Sequence, residues 1–198
     1  MIQDRYKPLA QVAVSATGCI VGSALNPATV TANSPAIDVM TDLMRIPPAT
    51  IDPRVSLYQA NQAMILRGVR LLLVMGVDGR ITGVITARDL LGEKPVRIAQ
   101  ARGAKREELE VRDVMTPLQE MEAIEMGDVA RSKVGHIVAT LQACGRQHAL
   151  VIEADAAGEQ VLRGIFSVSQ IARQMGVELS THEVARTFAE IEAAFAGV

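Results

Sequence analysis

The sequence predicts a mixed α+β protein, close to α/β in character. It is built from two strand–helix–strand–strand–helix repeats packed with pseudo-twofold symmetry, plus an N-terminal extension and a C-terminal helix. Three observations predict this. The string Asp-Val-Met-Thr occurs at residues 38–41 and again at 113–116, 75 residues apart. The same order of helix, strand, turn, strand and helix signals follows each copy. Each half, at roughly 60 residues, is too small to bury much surface alone, so two halves sharing a core is the stable solution.

In the first half, Asp52-Pro53 predicts a helix start, with Asp as the cap and Pro at the first helical position. Leu57, Ala60 and Met64 fall on one helical face, and Gly68 ends it. Residues 71–74, Leu-Leu-Leu-Val, read as a buried strand, Asp78-Gly79 as a tight turn, and residues 81–85 as the returning strand. A short helix opens at Thr86 and stops at Gly92, before Pro95. In the second half, Val134, Ile137 and Leu141 form the helix stripe and Gly145 closes it. Residues 149–152 are a strand, 155–160 a longer turn, 161–166 the return strand, and Ser167 opens a helix reaching Gly176.

The chain thus divides into an extension (1–35), a first repeat (36–92), a linker (93–112), a second repeat (113–176) and a C-terminal helix (177–198). The linker is dense in charges of both signs and poor in apolar residues, so it reads as solvated; Lys105 and Arg106 offer a basic rim for phosphates as an alternative role. In the tail, Ser180 or Thr181 caps a helix whose Val184, Phe188, Ile191 and Phe195 form one stripe, suited to core packing or to a partner. The stretch around Ala16-Thr17-Gly18-Cys19 faintly matches a lipoprotein cleavage site. Gln11, Ser15 and Thr17 interrupt the apolar run there, which favours an extension packed on the main body.

Composition excludes several functions. Hydrophobic residues make up 49% and charged ones 21%, so wholesale disorder is out. A net charge of −2, no Trp, two Tyr and three Phe leave neither a strongly basic surface nor stacking platforms for nucleic acid. No apolar run is long enough for a transmembrane helix. Cys19 and Cys144 form no pairing motif, which fits a reduced, cytoplasmic protein. His136, His148 and His182 are scattered, and no nucleophile elbow, zinc-protease or phosphate-loop motif occurs, so neither a metal site nor an enzyme is expected.

Residues 38–92, from Asp-Val-Met-Thr through the helix stripe, the Leu-Leu-Leu-Val strand and Thr86-Ala87-Arg88-Asp89, resemble a CBS domain, the module named after cystathionine β-synthase. Residues 113–176 resemble a second, more divergent copy, and together they cover most of the chain. The whole resembles stand-alone bacterial tandem CBS proteins. That resemblance implies adenosine-containing ligands (AMP, ADP, ATP, S-adenosylmethionine or NAD) in clefts between the repeats. It further implies a homodimer, and a regulated partner protein that senses occupancy. The alternative is a non-binding dimeric scaffold.

The resemblance also implies site residues. Thr86 and Asp89, a hydroxyl three before an acid, stand where relatives read the ribose; a carboxylate accepts strong charge-assisted bonds from both hydroxyls of a cis-diol. Arg88 in the same turn, and Arg70 just before the buried strand, are candidate phosphate partners. Free amides at the short helix's start are expected to favour an anion. The second copy carries Ser167, Ser169 and Gln170, with Arg146 and His148 near the basic position. Gln170 makes only neutral bonds, so this second site is expected to be the weaker one. His148 is either a phosphate or pH sensor or a satisfied edge-strand histidine.

Overall fold

The computed structural model describes residues 10–13, 30–177 and 184–196. The signals around Cys19, His182 and the capping residues 180–181 lie outside these. In chain order the elements are strands β1 (Thr41–Asp42) and β2 (Thr50–Ile51), helix α1 (Leu57–Arg67), strands β3 (Leu71–Met75) and β4 (Ile81–Thr86), and helices α2 (Ala87–Leu91), α3 (Lys94–Arg102) and α4 (Val111–Val114). Next come β5 (Thr116–Pro117), β6 (Ala123–Glu125), α5 (Met126–Val129), α6 (Val134–Ala143), β7 (His148–Ala154), β8 (Gln160–Ser167), α7 (Val168–Gln174) and α8 (Val184–Ala196).

The strands form two four-stranded sheets, ordered β2-β3-β4-β5 and β1-β8-β7-β6. Each borrows one strand from the opposite half. β1, from the first half, pairs antiparallel with β8 through Thr41 opposite Ile165; β5, from the second, pairs antiparallel with β4 through Thr116 opposite Val84. This exchange explains the repeated Asp-Val-Met-Thr string. Its Val is an anchor in the other half's core, where Val39 packs with Val134 and Phe166, and Val114 with Leu57 and Leu72. Its Thr starts the exchanged strand.

Burial follows the strand period. In β3, Leu72 and Val74 pack toward α1, while Leu71 and Leu73 join Val84 and Leu150 in a third cluster between the two sheets. Both faces of β3 are therefore covered, which is why the run is apolar without alternation. The core is thus three layers of contact: one sheet–helix cluster per half and a seam between sheets.

Three elements differ from expectation. The first helix starts at Leu57, five residues after Asp52. Asp52 Oδ1 accepts from its neighbour Arg54 N at 2.8 Å, so it closes a local turn. Ser56 is the cap: its Oγ accepts from Gln59 N at 3.2 Å, and Gln59 Oε1 accepts from Ser56 N at 3.1 Å. The charged stretch 93–112 is largely ordered as α3 and α4, not a solvated linker. Pro95 sits in the first turn of α3, where its missing N–H costs nothing, and Ala99, Leu109 and Val111 are buried in the first half's core. Finally, α8 is core: Phe188 and Ile191 are buried against the second half and Phe195 packs beside them, so the stripe is not a free partner surface.

Candidate functional site

Two clefts open along the seam between the sheets. β3 enters its sheet at Leu71, opposite Thr86 at the end of β4; β7 enters at His148, opposite Ser167 at the end of β8. Leu71 and His148 therefore occupy equivalent positions, and both line both clefts.

The first cleft, about 220 Å3, is lined by Thr86, Arg88 and Asp89 from one half and by Arg146, Gln147 and His148 from the other, with Thr116 and Met121 beside them. The second, about 190 Å3, is lined by Ser167, Ser169 and Gln170 together with Arg70, Thr41, the 46–49 loop and Arg173. Each mouth of a short helix thus faces the strand entry of the opposite repeat. This crosses the sequence-based grouping. Arg70 belongs with Gln170, not Asp89; Arg146 belongs with Asp89, and His148 is shared. A further hollow, about 420 Å3, adjoins the first through Arg146 and His148 and includes Glu122, Thr140 and the exposed thiol of Cys144.

Asp89 is held rigidly. Its Oδ2 accepts from Thr86 N at 2.9 Å and from Thr86 Oγ1 at 2.6 Å, while Thr86 Oγ1 accepts from Asp89 N at 3.2 Å. This reciprocal cap corrects two expectations. The Thr86 hydroxyl proton is committed to Asp89, so Thr86 orients the carboxylate. The cap's own amides are also taken, leaving less for a phosphate than the sequence implied. The other oxygen, Oδ1, lies 3.6 Å from Lys94 Nζ, and the Asp89 side chain is 19% exposed. Lys94 was assigned to the linker; the α3 start brings it to the site. Lys105 and Arg106 line neither cleft, and Arg106 instead donates to Leu90 O at 3.0 Å.

His148 is 8% exposed, on the interior strand β7 rather than a sheet edge, and no hydrogen bond to its imidazole is present among the described residues. Burial pushes its pKa down to about 4; the positive charge of Arg70 adds to this and the carboxylate of Asp89 opposes it. It is neutral at pH 7. At the second mouth, Ser167 makes no side-chain cap, and its Oγ lies 2.9 Å from Ser169 Oγ. The hydroxyl is present, but it is turned to Ser169 and the reciprocal cap does not form.

Among the described residues, no cluster of three His, Cys, Asp or Glu side chains is placed to hold a metal ion, and no helix is long and apolar enough to cross a membrane.

Residues 39–95 match the CBS domain family model. The fold is that of solved CBS proteins. A CBS-domain containing protein from Agrobacterium tumefaciens is 21% identical, with 73% of this chain and 94% of that one covered and a TM-score of 0.51. A conserved protein from Pyrococcus horikoshii is 20% identical, with 77% of this chain and all of that one covered and a TM-score of 0.53. No curated protein sequence matches the chain.

Proposed function

From a CBS domain at residues 39–95 within the fold of CBS proteins, we propose a regulatory ligand-binding module. It binds an adenosine-containing ligand in the first cleft and passes occupancy to a partner protein. The observation that carries this reading is the orientation of Asp89. Thr86 fixes one carboxylate oxygen, and the cleft wall beside it carries Arg88 and Arg146. A fixed carboxylate suits a sugar cis-diol, and two guanidinium groups suit the phosphate or carboxylate of the same ligand. Adenosine is common to AMP, ADP, ATP, S-adenosylmethionine and NAD, and each also carries an anionic group for the two arginines.

The protein acts, in this reading, without catalysis and in the cytoplasm, as a homodimer. Tyr58, Ile65 and Leu66 on α1 and Leu91 on α2 are exposed apolar side chains, and they support the dimer as well as the scaffold alternative. Light scattering reports the oligomer. Isothermal titration calorimetry with AMP, ATP, S-adenosylmethionine and NAD tests the site. Asp89→Ala is expected to lose about 1.5–3 kcal/mol, roughly tenfold to hundredfold in affinity. Equal affinity in wild type and variant removes Asp89 from the site; no binding by any of the four favours the scaffold.

A further inference from the structure

The two clefts are equivalent in position but not in chemistry. The first has a carboxylate at the helix mouth, with Leu71, Val84 and Met121 as its apolar walls. The second has no carboxylate among its lining residues. Among the described residues its charged side chains are Arg70 and Arg173, and Ile46, Pro47, Pro48, Ala49, Val69 and Ile165 form its apolar walls. Gln170 stands at the second mouth where Asp89 stands at the first. Its neighbouring hydroxyls, Ser167 and Ser169, face each other at 2.9 Å.

These differences set what each cleft can distinguish. A diol donates hydrogen bonds, and an ionised acceptor rewards them more than a neutral one. Gln170 offers a neutral carbonyl oxygen beside a donor amide, so removing the ligand's hydroxyls costs less there than at a carboxylate. The proline-stiffened wall and the two arginines reward an apolar ring and an anion instead.

Building on the reading that the clefts are ligand sites, we infer that the second cleft takes a phosphorylated aromatic ligand without reading a sugar diol. Gln170 sets this indifference, and Arg70 is the phosphate anchor. The protein is then not a sensor with one strong and one degraded copy of a single site. It carries two sites with separate ligand selectivities, and the second accepts deoxy-sugar or sugar-free compounds that the first rejects.

Calorimetry on full-length protein tests this with three probes: AMP, 2′,3′-dideoxy-AMP and 1-naphthyl phosphate. Asp89→Ala silences diol reading at the first cleft. In that background one site is expected to persist, with AMP and dideoxy-AMP dissociation constants agreeing within about threefold, and with naphthyl phosphate bound too. Adding Arg70→Ala weakens all three by about tenfold or more. Adding Gln170→Asp instead creates a preference for AMP over dideoxy-AMP of about tenfold.

A site that already prefers AMP about tenfold with Gln170 in place overturns the inference, as does one indifferent to Arg70→Ala. One nucleotide per chain in wild type, with no binding of any probe in Asp89→Ala, also overturns it while leaving the proposed function intact. Arg70-dependent binding of all three probes at a single site, identical in wild type and Asp89→Ala, does the reverse. Failure of all three probes to bind wild type overturns both.

Discussion

His148→Leu isolates one buried ionisable group. Leucine is the residue that the equivalent strand entry carries at position 71, and it fills a similar space. In wild type the folded protein holds the imidazole neutral down to about pH 4, whereas an unfolded chain protonates it near 6.5. Between those values the unfolded state binds the proton and the folded state does not. Stability from this residue is therefore complete above pH 6.5, falls as the pH drops toward 4, and levels off below. The gap from 6.5 to 4 corresponds to about 3 kcal/mol. The carboxylates that Arg side chains hold below their usual range, Asp42, Asp52 and Asp113, release their contributions mostly below that window and do so in both proteins. The chain has no Trp, so urea unfolding is followed by far-ultraviolet circular dichroism at half-unit steps from pH 7.5 to 4. His148→Leu is expected to match wild type within about 1 kcal/mol at pH 7.5 and to exceed it by about 3 kcal/mol near pH 4. Parallel stability curves across the window would refute the placement of a neutral histidine at the junction of the clefts.

Two further perturbations test the packing. At Gly83, a Cβ would lie 2.7 Å from the backbone oxygen of Thr116 in the exchanged strand β5, whereas at Gly164 it would meet the flexible Met40 side chain, with Sδ at 2.5 Å. Gly83→Ala should cost about 1–2 kcal/mol after the unfolded-state gain, lowering the melting temperature by roughly 2–8 °C. Gly164→Ala should cost less, and the reverse order in a thermal melt contradicts the assigned register. Gly83→Ala should also weaken ligand binding at the first cleft, which Thr116 lines, more than at the second; titration of the variant reports both. Ser56→Ala should destabilise by about 1 kcal/mol as a lost cap, and Asp52→Ala by clearly less, in urea unfolding at pH 7.5.

Local signals were legible and long-range ones were not. The α1 stripe of Leu57, Ala60 and Met64, the Gly68 terminator in left-handed conformation at φ 63°, and the Asp78-Gly79 turn all follow from neighbouring residues. The start of α1 was also legible in principle, since Ser56 and Gln59 spell a capping box, but Asp52-Pro53 is the louder signal. Helix α3 was missed because its outer face is charged and its buried face is small, Pro95 and Ala99. The site residues singled out in the sequence line the two clefts, but in a grouping the sequence does not suggest. Two-residue strands such as Thr41–Asp42 carry no periodicity, so nothing local says that they pair with the far half. Without that exchange, Arg70 is naturally grouped with the helix that follows it in sequence. Thr116 and Met121 reach the first cleft by the same long-range route.

The traded strands bear on how the chain folds. Residue 41 must find residue 165, and each sheet stays one strand short until the opposite half has supplied it. Closing such large loops is slow and all-or-none, so assembly is concerted instead of proceeding one repeat at a time. A backbone nick near residues 103–105 would then leave two fragments, each unable to stand by itself, that regain shape only on mixing.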